Sequence, residues 1–284
     1  MTAGGSAKWL DVSAERFPGW IASFARRHGD QSPLLTAPAA GAVSFTAPDG
    51  AVAECHPPFP ESFALPPGLA GAGEIAAVIA AHASAPRAVG VLLVRLGGYA
   101  AGVFTGYPPA LADSKVGSRL VHGRSAAGGW SQQRFARRRE KQANEALEAA
   151  ADTAAAVFGR WTSGITATGA PARASSAPAR ASSASARASS APARHPATRD
   201  TPPGGDSRTR SGSEGAGRGR RLDAVVLGGD KRAVAELRGD PRLAPYLAIA
   251  TERFLTVPDP KRAVLEGAPR LFTAVRISLT EPPA

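Results

Sequence analysis

The chain has one cysteine and one methionine in 284 residues, and aromatic residues make up only 6% of it. A lone cysteine, Cys55, excludes any disulfide within the chain and fits a reducing compartment. Its neighbour His56 invites a nucleophile–base pairing. Adjacent residues of a strand point to opposite faces, however, so the favoured reading is a small residue held in a strand. Long apolar runs are also missing. No window approaches the ~18 apolar residues of a membrane span, and MTAGGSAKWLDV has no apolar stretch of signal-peptide length. The longest apolar run, near VGVLLV, is strand-sized. These absences point to a soluble, cytoplasmic protein with no membrane partner. No Ser–His–Asp triad and no metal-ligand cluster is apparent, so neither a cofactor nor a metal is expected, and His122 is only a weak general-base candidate.

A further absence divides the chain. Between Ile165 and Leu222 there is no Val, Leu, Ile, Met, Phe, Tyr or Trp. Ala, Ser, Pro, Gly and Arg dominate, and PARASSA-type units place arginines at 173, 180, 187 and 194. Such a segment cannot bury enough apolar surface to offset its ordering entropy, and it reads as a disordered insert rather than a coiled coil. The expected division is a small N-terminal α+β region at 1–85, a body formed by 86–160 with 222–284, and the insert at 161–221. Loop-closure entropy grows slowly with length, so the body tolerates the interruption.

What is present is basic: 34 Lys and Arg against 23 Asp and Glu, a net charge of +11. The excess favours a polyanionic partner. The spacing predicts a strand at KWLDV, then a helix with Ser13 as N-cap and Phe17, Trp20, Ile21 and Phe24 on one face. Short antiparallel strands are expected within 33–57 around a PDG turn, and a helix at 73–85. AVGVLLVR and YAAGVFTG read as a hairpin buried on both faces, followed by a strand near 110–121 and a long helix to about Phe158. DAVVLGG, RFLTV and RLFTAVRISL read as strands, with helices at KRAVAELR (Asp230 as N-cap) and KRAVLEG. The alternation argues for α/β layers, α+β overall once the N-terminal region is included.

The stretch HGRSAAGGWSQQRFARRREK (122–141) carries five Arg and one Lys against one Glu. On a helix, Arg134, Arg137, Arg138 and Lys141 form one stripe, opposite Ala143, Leu147, Ala150, Ala154 and Val157. That stripe lies in the first turns, where the helix dipole is already positive, while Glu145 and Glu148 come later. An anionic ligand at the helix start resolves the conflict and makes Arg124, Arg139 and the stripe candidate RNA contacts. Gly128 and Gly129 allow close backbone approach, Trp130 can stack on a base, and Gln132 and Gln133 carry neutral amides that donate and accept.

This stretch resembles the catalytic domain of the archaeal and eukaryotic class I peptide-release factors, whose loop reads approximately HGRGGQSALRFARLR before a long helix. Here HGR stands at 122–124 and SxxRFARRR at 131–139, with Arg138 in place of a leucine. DAVVLGG resembles that family's later glycine-ended strand, and the resemblance extends over 87–158 and 222–280. The family's GGQ glutamine aligns with Trp130, and glutamine instead follows two residues later in Gly129-Trp-Ser-Gln132, a GxxQ pattern. That pattern resembles the Vms-like branch and its bacterial members, which free nascent chains from tRNA on stalled large ribosomal subunits.

The resemblance implies a release-factor-like α/β catalytic domain and a peptidyl-tRNA hydrolase of ribosome rescue. It implies water as nucleophile and the large subunit, its rRNA and peptidyl-tRNA as partners of a monomer. Backbone amides near Gly128 and Gly129 would stabilise the oxyanion or orient water. Gln132 would position the water, with Gln133 as rival. Arg134, Arg137, Arg138 and Lys141 would grip phosphates. The alternative is a non-catalytic ribosome- or RNA-binding factor, with Trp130 marking lost chemistry. A nucleotide-binding enzyme ranks third, since neither GxGxxG nor GxxxxGK[ST] occurs.

Overall fold

The computed structural model describes residues 7–29, 41–69, 71–95, 97–118, 131–164 and 220–282. Of the insert expected at 161–221, residues 165–219 lie outside them, whereas 161–162 belong to the long helix that precedes it. The architecture is mixed α/β and contains two sheets.

The first sheet is antiparallel and comprises β1 (Lys8–Val12), β2 (Val43–Thr46), β3 (Val52–His56) and β9 (Val275–Thr280), in the order β1-β9-β3-β2. Helices α1 (Phe17–His28) and α2 (Ala72–Ala83) close one face. Phe17, Ile21 and Phe24 of α1 and Ile75 and Ile79 of α2 meet Phe45, Cys55, Ile277 and Leu279 there. The start of α1 differs from expectation. The Ser13 carbonyl accepts from the N–H groups of Arg16 and Phe17 in a preceding turn, and the helix begins at Phe17 with Arg16 as its cap. Pro18 in the first helical turn favours that later start, because its ring fixes a helical φ where its missing N–H costs nothing.

The second sheet comprises β4 (Arg87–Arg95), β5 (Gly98–Gly106), β6 (Ala110–Ser118), β7 (Ala224–Gly229) and β8 (Ala250–Leu255), in the order β6-β5-β4-β7-β8. The pairs β4–β5 and β5–β6 are antiparallel, whereas β4–β7 and β7–β8 are parallel. The long helix α3 (Ser131–Thr162) and the shorter α4 (Lys231–Leu237) and α5 (Ala244–Leu247) cover one face. On the other face lie α6 (Arg262–Gly267) and α7 (Pro269–Phe272). β4 is therefore buried on both sides: Leu92 and Val94 meet Ala150, Ala154 and Phe158, while Val91 and Leu93 meet Leu265 and Phe272. This double burial explains the near-continuous apolar run read from the sequence. Asp230 caps α4 as expected, its carboxylate accepting from Arg232 N–H at 2.8 Å and Ala233 N–H at 3.4 Å.

The last strand corrects the sequence reading twice. Residues 270–272 of RLFTAVRISL belong to the helix Pro269–Phe272, and the strand begins only at Val275. It also joins the first sheet, between β1 and β3, instead of the second. Its pattern explains why: Val275, Ile277 and Leu279 are buried apolar residues, while the opposite face carries exposed Arg276, polar Ser278, which is buried, and half-exposed Thr280. That alternation suits a sheet covered on one side only.

Candidate nucleic-acid interface

Strand β6 ends at Ser118, and α3 begins at Ser131. The intervening residues 119–130, which include His122, Arg124, Gly128, Gly129 and Trp130, lie outside the described residues. Gln132, Gln133, Arg134, Arg138 and Arg139 fall within α3 by backbone; their side chains also lie outside the described residues. Of the expected site residues, Arg137 and Lys141 have described side chains, and both are exposed.

The register places the two stems of this region. Ser118 pairs with Gly98, Gly98 with Arg95, and Val94 of the same strand end with Gly229. The chain therefore leaves β6 at the edge where the parallel strands β4 and β7 also finish. It returns as a helix of 32 residues, about 48 Å long at 1.5 Å per residue. Strands of 9 residues such as β4 span only about 30 Å.

The burial pattern of α3 shows how the surplus length is used. Glu140, Lys141, Asn144 and Glu145 are exposed, Gln142 and Ala143 are half-buried, and Ala146 is the first buried residue among those described. Beyond it Ala150, Ala151, Ala154, Val157 and Phe158 pack against the second sheet. Leu147 packs beside them and Ala143 stays half-buried, so the apolar stripe is real but effective only in the C-terminal half. Near its C-terminus, Arg160 forks onto Asp113 of β6, with Nε donating to Oδ2 at 2.9 Å and Nη2 to Oδ1 at 3.0 Å. Planar bidentate pairs of this kind fix orientation as well as adding energy. A second tie runs from Arg242 to Asp152 of α3 and to Asp240. These clamps were not legible in the sequence, because each joins residues far apart in the chain.

The leading 15 residues of α3, about 22 Å of helix by backbone, thus precede the packed half as an arm whose described residues are exposed or half-buried. No acidic residue occupies the first turn. Lys141 has a side chain 79% exposed and meets Glu145 at 3.9 Å, a solvated pair that neutralises little. The dipole conflict read from the sequence therefore persists in the folded helix: cations come first and carboxylates later.

Cys55 and His56 can be set aside as a catalytic pair. Cys55 is fully buried in the first sheet's core, and burial pushes its thiol well above the usual range. His56 is on the opposite face, 5.5 Å from the Trp9 ring. Two clefts among the described residues also lie elsewhere. One of about 940 Å³ lies among α1, Tyr107–Pro109 and the α6–α7 segment, and one of about 600 Å³ lies beside Arg87 and Thr251. Neither is lined by an expected site residue.

The chain belongs to the Actinobacteria/chloroflexi VLRF1 release factor family, whose model matches residues 87–278. Membership gives it a release or rescue role connected with the ribosome. Among solved structures it is similar to an archaeal translation termination factor, aRF1, at 11% identity and a TM-score of 0.35, with 96% of this chain and 68% of that chain covered. No curated protein sequence matches the chain. Among the described residues no helix is long and apolar enough to cross a membrane.

Proposed function

We propose that the chain is a cytoplasmic peptidyl-tRNA hydrolase that frees nascent chains on stalled large ribosomal subunits. The observation that carries this reading is the arm. A helix anchored by its C-terminal half presents a leading half whose described cations are exposed, directly after the glycine-containing loop of a release factor family member. Such an arm suits a loop that must reach into a confined RNA-walled site. The proposed catalytic body comprises 86–160 and 222–284, with 1–85 as an N-terminal α+β region and 161–221 as an insert.

In the proposed reaction, water attacks the ester carbonyl carbon, the carbonyl oxygen becomes an oxyanion, and the carbon–oxygen bond to the terminal ribose breaks. The departing ribose oxygen takes a proton, and the peptide leaves with a free carboxyl group. Backbone amides at Gly128 and Gly129 serve the oxyanion or hold the water. Gln132 orients the water. Its amide is a poor proton acceptor, so the proton leaves by a tRNA hydroxyl or a further water. Gln133 is the rival for that role. Arg124, Arg134, Arg137, Arg138, Arg139 and Lys141 hold rRNA or the tRNA acceptor end through phosphates, with Trp130 stacked on a base or ribose.

The test is single-turnover release from peptidyl-tRNA on isolated large subunits, comparing the natural chain with Gln132→Ala and Gln133→Ala. Release that one glutamine variant loses, with subunit binding retained, supports the assignment. The departure at Trp130 favours a second reading, a binding factor without chemistry. Tight subunit binding with an intact ester in the natural chain would establish that reading.

A further inference from the structure

The edge of the second sheet beside the loop stems has a composition the release reaction does not use. Four strands end there in one row, Ser118, Gly98, Arg95 and, through the Val94–Gly229 pair, Gly229, with Leu255 opposite Gly228 on β8. At about 4.8 Å per strand, the row from Ser118 to Leu255 is about 19 Å wide. Its floor is low because glycines occupy it: Gly97, Gly98 and Gly229 are all partly accessible. Gly229 has φ +102°, and a Cβ there would fall on the Val94 carbonyl, so the position requires glycine. Pro260 packs close to Gly98 and brings Lys261 to the same edge.

Exposed cations surround this floor. Arg95 donates to the Val257 carbonyl at 2.9 Å, Lys231 lies 5.8 Å from the centre of the half-buried Phe254 ring, and Lys261 is exposed. Among the described residues none of the three pairs with a carboxylate. Arg232 and Arg262 are each taken up by a glutamate four residues on, Glu236 and Glu266. Asp230 is engaged as the cap of α4, which leaves Asp259 as the rim's unengaged carboxylate. A flat, glycine-floored shelf with point charges on its margin suits a sugar–phosphate chain, which needs close approach and no deep pocket.

We infer that this rim, formed by Arg95, Lys231 and Lys261, is a second RNA-binding surface, gripping the phosphates of a single strand beside the loop stem. It deepens the reading above by adding a contact separate from α3, and it rests on that reading for the identity of the RNA as ribosomal or transfer RNA.

The probe is a mixed-sequence single-stranded RNA oligonucleotide, bound to the full chain across a range of salt. Each phosphate neutralised on a single strand contributes about 0.7 to the slope of log K against log salt. Lys231→Gln with Lys261→Gln should therefore reduce the slope by about 1.4, and Arg95→Gln by about 0.7. Asp259→Asn should tighten binding. A double neutralisation at Arg26 and Arg27 of α1 should leave the slope unchanged. An unchanged slope in the lysine variant overturns the inference, because both lysines are surface residues whose replacement leaves the core intact. Loss of binding to large subunits with an unchanged oligonucleotide slope also overturns it, identifying a ribosomal protein as the partner. The assay needs no ester hydrolysis. A reduced slope in a chain that releases no peptide would sustain the rim and defeat the hydrolase, whereas normal release with an unchanged slope would do the reverse.

Discussion

Two glycines allow the cost of crowding at the rim to be separated from the cost of backbone conformation. Gly50, in the β2–β3 turn, has φ +90°, and a Cβ there would meet nothing within 4 Å. Gly229, at the end of β7, has φ +102°, and a Cβ would overlap the backbone carbonyl of Val94. Replacing either by alanine forces an L-residue into a region it disfavours, at a cost of roughly 1–2 kcal/mol. Gly50→Ala should cost only that. Gly229→Ala must also move the end of β4 or β7, because the obstruction is backbone and cannot rotate away. It interrupts the edge where Asp230 N–H reaches the Val94 carbonyl at 2.7 Å. A buried carbonyl deprived of its donor adds roughly 1–3 kcal/mol. The expected total for Gly229→Ala is about 2–5 kcal/mol, about thirtyfold or more in the folded-to-unfolded ratio. Urea unfolding of both variants, followed by far-UV circular dichroism, measures the difference. Equal losses in the two variants would refute the reasoning, since crowding at Gly229 would then contribute nothing.

Three further outcomes follow from the packing and the charges. Phe158→Ala removes a fully buried ring from the seam between α3 and the second sheet; it should cost about 3–5 kcal/mol by urea unfolding and free the arm from its base. Cys55 should resist alkylation by a small maleimide in the native chain and react on unfolding, since burial both blocks the thiol and keeps it protonated. Burial holds the pKa values of His56 and His82 below the ordinary histidine range, chiefly by desolvation. A depressed folded value means that the unfolded chain binds protons first, so the stability they contribute is complete above about 6.5 and declines as pH falls. Asp49, held down by the Ala51 N–H and His28, adds a loss of the same sign in the carboxylate range. Melting temperature should fall from neutral pH to about pH 5, and His56→Gln with His82→Gln should flatten that limb.

The elements most legible in the sequence are those whose burial is local and periodic. The hairpin of β4 and β5 announced itself by an apolar run and a Gly-Gly turn, and Asp230 announced α4, because strand pairing and capping depend on near neighbours. β9 did not, because its sheet is chosen by long-range partners. Its alternating pattern was visible, but nothing in it specified β1 and β3, more than 200 residues earlier. The short helices α5 and α7 were missed for a related reason. Each is 4 residues long, too short for a period to register, although a proline lies in the first turn of both. On the site, the basic stripe and its wrong-way placement on the dipole were readable from spacing alone. The rim was not, since Arg95 ends β4, Lys231 opens α4 and Lys261 caps α6, and the three are brought to one edge only by the order of the strands that precede them.

The packing of its C-terminal half explains why α3 can start against its dipole at a cost the fold tolerates. Each misplaced cation opposes the helix by a few tenths of a kcal/mol. The C-terminal half, by contrast, buries Ala150, Ala154, Val157 and Phe158 and is tied to β6 through Arg160 and Asp113. Burial of the phenylalanine ring alone contributes roughly 1.5–3 kcal/mol, more than several surface charges remove. On the proposed function, stability and RNA contact fall to opposite ends of one helix. Changes of charge at Arg137 or Lys141 should alter RNA affinity while leaving the unfolding midpoint nearly fixed, whereas changes at Phe158 should do the opposite. A sequence under selection for folding alone has no reason to keep that division, and a helix that must carry a loop toward a polyanion does.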